Sequence, residues 1–408
     1  MILKDRESNI NKFKTFSAKP ENEKWNNMIS RENELYKRDN DMRCEFERDY
    51  TRIIHSSAYR RLKHKTQVFF SPTSDHICTR IEHVNHVESI SYTIAKYLGL
   101  NTELTKAIAT AHDLGHSPFG HEGERILSEI SKRDIGDTFW HEKNGLNFVD
   151  NIEVLEDNNK FKQNLNLTYA VRDGIISHCG EIDQNGIKPR EEFINLSTYS
   201  KPNEYMPYTW EGCVVKVADK ISYIGRDIED AIKLGLIDED KLKELNILLN
   251  EYGHINNTII INELVCDLCL NSSIENGICF SDKFYSIMNI IKKFNYENIY
   301  KNNRIEPSRR YFKLIINEIY DCLKGMYKYE NTIENLDKYE KIYPNLVKNF
   351  KEWIGKYSNL RENNENLANK VVYNIKNDEK EYYKAIIDYI SGMTDNFAID
   401  SYNEIIKF

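Results

Sequence analysis

The chain has 408 residues and a formal net charge of −8, from 64 acidic and 56 basic side chains. That length allows one large core or two to three domains, and the charge excludes a protein basic along its whole length while leaving room for a local basic cavity. No apolar run approaches the ~18 residues a membrane span needs, and the opening MILKDRESNINKF is charged where a secretory signal would be apolar, so neither is expected.

Residues 1–43 are polar and read as short helix and loop. Residues 44–64 read as helix. The stretch 52–66 holds Arg52, Arg60, Arg61, Lys63 and Lys65 without an acid, which suits either a solvated helix face or a nucleotide or nucleic-acid contact helped by Tyr59. The apolar TQVFF, followed by turn chemistry at Ser71-Pro72-Thr73-Ser74-Asp75, predicts a β-hairpin near 66–80. A helix from about Arg80 to Leu98 should stop at Gly99, and the next starts at Asn101, a good N-cap residue. Its Leu104, Ala107, Ile108 and Ala111 share one inward face.

Further helices are expected near 121–132, 141–156, 167–178 and 211–234. In the last, Val214, Val217, Ile221, Ile224 and Ile228 form an apolar stripe, and Asp219, Tyr223 and Asp227 step by four along a different face. From about 240 the chain is rich in Asn, Lys, Ile and Tyr with helical periodicity. The eight cysteines are scattered, which fits a reduced cytoplasmic protein, and Cys266 and Cys269 read as two positions on one helical face. The expected fold is therefore all-α with a small β-hairpin. It divides into an N-terminal segment (1–43), a core (44–240) and a C-terminal helical region (241–408) that packs on the core and completes the site.

Nine of the eleven histidines lie between His55 and His141. Histidine is the commonest metal ligand and titrates near neutral pH, so such clustering asks for a chemical reason. The sharpest element is Ala111-His112-Asp113-Leu114-Gly115-His116. A His-Asp pair at the end of an apolar helix offers a nitrogen and a carboxylate to one metal, and Gly115 lets the chain turn away at once. His83 on the helix before and Asp219 on the later striped helix complete a set of two nitrogens and two carboxylates. That set suits Mn, Mg, Fe, Co, Ni or Zn, with positions left for water and a phosphate oxygen.

The motifs that surround these residues resemble the HD-domain superfamily and, within it, the bacterial dGTP triphosphohydrolase branch. In order they are RIIHSSAYRRLKHKTQVF (52–69), RIEH (80–83), AHDLGHSPFGHEGE (111–124), WHEKNG (140–145), LNLTYAVRDGI (165–175), VADKISYIGRDIED (217–230) and DYISGMTDNFA (388–398). The resemblance implies an HD-domain helical fold in which His83, His112, Asp113 and Asp219 hold a divalent metal. It implies that His121 acts at the scissile phosphate, that Glu124 orients and tunes it, and that His141 lies close to the phosphates. Arg80 would meet phosphate oxygens, with His116 beside them. Lys220 and Tyr223 would contact phosphate and sugar, Gln67 and Asp227 would face the deoxyribose 3′-hydroxyl, and Tyr389 would press on the sugar and exclude a 2′-hydroxyl.

The expected reaction is attack by water at the α-phosphorus of a deoxynucleoside triphosphate, dGTP foremost, to give the deoxynucleoside and tripolyphosphate. The resemblance also implies a homo-oligomer, hexamers being common among relatives, with nucleotide or single-stranded DNA effectors. Two other readings stand beside it: an HD phosphohydrolase acting on another nucleotide, and an HD module that senses nucleotide or DNA without turnover.

Overall fold

Helix ends in the first half of the chain are set by chemistry visible in the sequence. The computed structural model describes residues 10–35, 40–70, 76–157, 160–179, 184–249, 257–361 and 367–407. Helices α1 (Glu45–His55) and α2 (Ser57–Arg61) lead to α3 (Arg80–Leu98). Glu82 Oε2 accepts the Thr79 amide at 2.7 Å, closing the start of α3. Gly99 ends it at φ 80°, in the left-handed region, where a Cβ would also lie 2.8 Å from Asn11 Cα. Asn101 Oδ1 then accepts the amides of Glu103 and Leu104 at 3.0 Å each and starts α4 (Thr102–Ala111).

α5 (Gly120–Asp134), α6 (His141–Asn147) and α7 (Tyr169–Ser177) follow, and then the long α8 (Trp210–Lys233). The expected stripe of α8 is buried at all five positions. It lets α8 run as a spine packed against α3, α4, α7, α10 (Asn257–Asn271) and α11 (Asp282–Asn295), with α9 (Glu239–Leu248) against α11. The C-terminal layer is α12 (Glu306–Lys324), α13 (Thr332–Tyr339), α14 (Pro344–Tyr357), α15 (Glu379–Ser391) and α16 (Asp395–Ile406). In it α12 and α15 both pack on α5. One apolar core runs through both regions, from Phe13 to Tyr402. Among the described residues, no helix is long and apolar enough to cross a membrane.

Among the described residues the protein is all-α with one small β-hairpin, which lies later in the chain than the turn chemistry put it. Strands β1 (Val154–Glu156) and β2 (Lys162–Asn164) pair antiparallel, with Leu155 opposite Gln163. The helix expected over 141–156 stops at Asn147, and the chain winds through a wider turn over Phe148–Ile152 before β1. Near 66–80 the described residues form a single antiparallel bridge, Thr66 to Thr79, and the Ser71–Asp75 turn lies outside them. The Thr66 amide donates to Asp395 Oδ2 at 2.8 Å, in a helix from the far end of the chain.

The basic stretch 52–66 is largely structural. Arg52 donates to the carbonyls of Leu165 and Asn164, Arg61 pairs with Glu153 at 2.9 Å, and the buried Lys65 donates to the carbonyls of His116 and Ser391. These cations close backbone gaps between segments and leave Arg60 and Lys63 as the exposed ones. Cys266 and Cys269 stand three apart on α10, both as free thiols.

Asp395 holds the two regions together. Its Oδ2 accepts from Thr66 N and Oγ1, and its Oδ1 accepts the Phe119 amide at 2.9 Å. Asp395→Ala would leave two buried amides without acceptors, at about 1–3 kcal/mol each. A clear drop in melting temperature is expected, and an unchanged melting temperature would show that the carboxylate does not hold the C-terminal layer in place.

Candidate active site

Three helices bring the expected ligands together: donor atoms of His83, His112 and Asp219 lie within 4.8 Å of one another, and Asp113 lies beside them. His83 lies in the first turn of α3, His112 and Asp113 follow the last turn of α4, and Asp219 lies mid-way along α8. His83 Nε2 is 3.0 Å from Asp219 Oδ1 and 3.8 Å from Asp113 Oδ2. His112 Nε2 is 3.4 Å from Asp113 Oδ1 and 3.9 Å from Asp219 Oδ1. Each imidazole is held through its other nitrogen: His112 Nδ1 bonds the Ala109 carbonyl at 2.6 Å, and His83 Nδ1 bonds Ser222 Oγ at 3.3 Å. His112 Nε2 is then buried with no hydrogen-bond partner. An unpartnered nitrogen aimed at two carboxylates fits a divalent cation, because a hydrogen bond at Nδ1 is what turns Nε2 into a ligand.

The electrostatics are consistent with two ionised carboxylates. Burial alone would raise Asp113, but His112, His116 and Arg80 together hold it well below the ordinary carboxylate range. Burial likewise opposes ionisation of Asp219, and the hydrogen bond and charge of His83 outweigh it, bringing the group to about 2.

A second group of side chains lies beside the first. After Phe119 and Gly120, both at positive φ, α5 begins with His121 and Glu124. Glu124 bonds His121 Nδ1 at 3.3 Å and His141 Nδ1 at 3.0 Å, and accepts the His141 amide at 3.0 Å. His116 stacks on His141 with ring centroids 3.8 Å apart, and His116 Nε2 is 3.0 Å from Asp113 Oδ1. Donor atoms of His116, His121, Glu124 and His141 lie within 4.8 Å of one another. His121 is the open member, with its side chain 66% exposed. Burial opposes the charge on His141, but Glu142 and Glu124 raise it to about 10, while burial and the charges of Arg80 and His141 push His116 well down.

Known proteins match this arrangement in sequence. Residues 80–224 match the HD domain model and residues 351–404 match that of the phosphohydrolase-associated domain. A "deoxyguanosinetriphosphate triphosphohydrolase-like protein" of Caldanaerobacter subterraneus is 35% identical over 90% of this chain and 86% of its own length. Proteins of the same description from Clostridium tetani and Rickettsia bellii are 31% and 33% identical, over 99% and 89% of this chain and 96% and 92% of theirs. The chain belongs to the deoxyguanosinetriphosphate triphosphohydrolase-like family of HD-domain proteins. With that membership and the ligand geometry, it is a metal-dependent phosphohydrolase by family.

Several residues named from the family motifs are placed differently from expectation. Arg80 turns to the protein instead of outward: Nη1 meets Asp113 Oδ2 at 2.7 Å, Nη2 the Gln67 carbonyl at 3.0 Å and Nε the Thr66 carbonyl at 3.3 Å. Tyr389 packs its ring on Phe350 and Trp353, and no hydrogen bond or ring contact joins it to the ligand group. Gln67 Oε1 is buried without a partner, and Lys220, Tyr223 and Asp227 lie on α8 beyond Asp219, with Lys220 and Asp227 buried. Gly115 is needed for a close approach rather than for turning. A Cβ there would lie 2.1 Å from the His141 carbonyl and the Gly145 amide, so only glycine lets α6 press on the His-Asp turn.

Three further residues close to these groups were not singled out in the sequence. His178, 2% exposed, sits with ring centroids 5.0 Å from His112 and 5.4 Å from His141. Glu142 is 1% exposed with both oxygens unpartnered. Tyr300 donates its hydroxyl to Asp227 Oδ2 at 2.5 Å. The available signals were the HC in ISHCGE for His178 and the acid directly after His141 for Glu142. Tyr300 carried none among so many tyrosines.

Asp227 gives a test on stability. Burial raises it from 3.8 to about 7, and the Tyr300 hydrogen bond offsets only part of that rise. A carboxyl whose folded pKa is raised costs stability as pH climbs from its ordinary value through the folded one, at about 1.4 kcal/mol for each pH unit of that climb. Asp227→Asn is therefore expected to raise the melting temperature at pH 8 and leave it nearly unchanged at pH 4. A gain of the same size at both pH values would contradict the assignment.

Proposed function

We propose that the protein removes tripolyphosphate from a deoxynucleoside triphosphate, with dGTP the favoured substrate. The observation that carries this reading is the adjacency of the four-ligand group to a histidine pair held by one carboxylate, Glu124. The names of the family relatives support the choice of dGTP.

His83, His112, Asp113 and Asp219 would hold the divalent ion, which when bound would act as a Lewis acid on a phosphate oxygen. Arg80 keeps Asp113 ionised and fixed in direction. His121 moves the proton at the scissile phosphate, and its exposure leaves it open to substrate. Glu124 fixes the ring direction of both His121 and His141, and a charged His141 beside His116 meets phosphate oxygens. Lys220 and Tyr223 serve phosphate and sugar, and Gln67 and Asp227 bind the 3′-hydroxyl. Tyr389 is the ring against the sugar that excludes a 2′-hydroxyl, and Tyr300 is seated on Asp227. Water adds at the α-phosphorus, the bond from that phosphorus to the bridging oxygen or to the 5′-oxygen decides the products, and cleavage on the 5′-oxygen side frees the deoxynucleoside with intact tripolyphosphate. The active form is a homo-oligomer open to nucleotide or single-stranded DNA effectors.

The deciding measurement is product analysis by anion exchange, with Mn- or Mg-loaded protein offered each deoxynucleoside triphosphate and GTP. Deoxynucleoside plus tripolyphosphate is expected, with GTP spared and no product from His112→Ala. Pyrophosphate or orthophosphate as the product would overturn the reading. In the same assay His121→Ala should keep its metal and lose about 100- to 10,000-fold in turnover; full activity in that variant would remove His121 from the mechanism.

A further inference from the structure

We propose that the cleft between α5 and α12 binds a tripolyphosphate group, carried on an incoming nucleotide or free after cleavage. The inference rests on the reading that the protein frees tripolyphosphate. The cleft has a volume of about 500 Å³ and is lined by Glu122, Arg125, Glu306, Arg309, Arg310 and Lys313. Four cations against two acids therefore face one space, in a chain whose formal net charge is −8. None of the family motifs quoted above reaches past Glu124 on α5 or includes any part of α12.

The cleft adjoins the catalytic group through both of its walls. Arg125 stands four residues after His121 on α5, so the two side chains share a face one turn apart. Phe312 of α12 stacks on Phe119, the residue before α5, with ring centroids 4.3 Å apart. Arg309 donates through Nη2 to the Tyr300 carbonyl at 2.7 Å, and the Tyr300 hydroxyl in turn meets Asp227. One wall is thus the helix that bears His121, and the other is tied to the residue seated on Asp227.

Acids fix the direction of most of these cations. Glu122 accepts Arg125 Nε at 3.1 Å and lies 3.7 Å from Arg309 Nε on the facing helix. Glu129 pairs with Arg125 and, between the helices, with Lys313 at 3.1 Å. Glu306 pairs with Arg309 at 3.4 Å. Arg310 is exposed, and among the described residues no acid pairs with it. Arg309 and Lys313 stand four apart on one face of α12 and repel each other, a cost that an anion between them and Arg125 removes. Three guanidinium groups offer paired N–H donors that match phosphate oxygens. A chain of three phosphates meets several of them at once, whereas a lone carboxylate meets one.

The test is calorimetric titration of the full chain with sodium tripolyphosphate in metal-free buffer, so that the four-ligand group holds no ion. One equivalent is expected to bind the wild type, more weakly as ionic strength rises. Arg310→Glu should weaken binding about tenfold, through the loss of one charged hydrogen-bond pair, and Arg310→Lys should keep most of it. Arg310 is exposed, so neither substitution disturbs the core. Absent binding, or equal binding by wild type and Arg310→Glu, overturns the subsite. A second titration, with dGTP against bound tripolyphosphate, assigns the source: displacement marks the tail of an incoming nucleotide, and its absence marks the released product, the subsite standing in both cases. A protein that binds tripolyphosphate through Arg310 yet yields only pyrophosphate from every nucleotide keeps the subsite and loses the proposed reaction.

Discussion

A buried, ionised carboxylate is the constraint on which the rest of this structure depends. Asp113 is 3% exposed, and a charge so placed survives only with partners of opposite sign and with its lone pairs engaged. The partners are Arg80 at 2.7 Å and His116 at 3.0 Å, with His112 and His83 farther out. Arg80 is itself 1% exposed, so neither member of the pair can turn to solvent without stranding the other. The guanidinium must therefore stay on Asp113, and its remaining donors reach the carbonyls of Thr66 and Gln67. Those two carbonyls place the segment that carries Gln67 against the ligand group.

From Thr66 the same logic runs to the end of the chain. Thr66 gives its amide and hydroxyl to Asp395, and Asp395 also takes the amide of Phe119. Phe119 precedes His121 and stacks on Phe312 of α12 at 4.3 Å. Asn144 bridges the Gly115 carbonyl and Ser391 Oγ. Lys65, which burial holds well below its ordinary range, lies between His116 and Ser391. The C-terminal helices are thus tied to the site by side-chain hydrogen bonds to backbone groups between Gly115 and Phe119, the segment that leads from His116 to His121. This gives a physical reason for a phosphohydrolase-associated region to accompany the HD domain in one chain.

What could be read in the sequence follows from the range of the interactions involved. Helix ends at Gly99 and Asn101 rest on bonds within four residues, and the stripe on α8 rests on periodicity alone, so both were legible. The four-ligand group was legible because its residues come from three helices whose faces the sequence already defines. The role of Arg80 was not, since its partner lies on another helix and an arginine in RIEH reads as free for phosphate. The hairpin was placed near 66–80 on turn residues and an apolar run alone, and among the described residues only Thr66 and Thr79 pair there, while the wider turn over Phe148–Ile152 ended a helix that periodicity would have continued. The contacts of Tyr389 were not legible either. Its motif is short, and nothing in it distinguishes an aromatic facing sugar from one facing Phe350 and Trp353.

The site also shows why its acids differ in state though all are buried. Asp113 and Asp219 each face histidines, and Asp113 a guanidinium as well, so ionisation is favoured against desolvation. Asp227 sits on the same helix as Asp219, two turns on, but meets only the neutral hydroxyl of Tyr300, and desolvation wins. A carboxyl near neutrality can accept from or donate to a sugar hydroxyl, whereas a permanently charged one only accepts. A single helix thereby carries an ionised carboxylate beside His83 and, two turns on, a carboxyl whose pKa burial raises to about 7. The spacing of four residues from Asp219 through Tyr223 to Asp227 is what keeps both on the face that looks into the site.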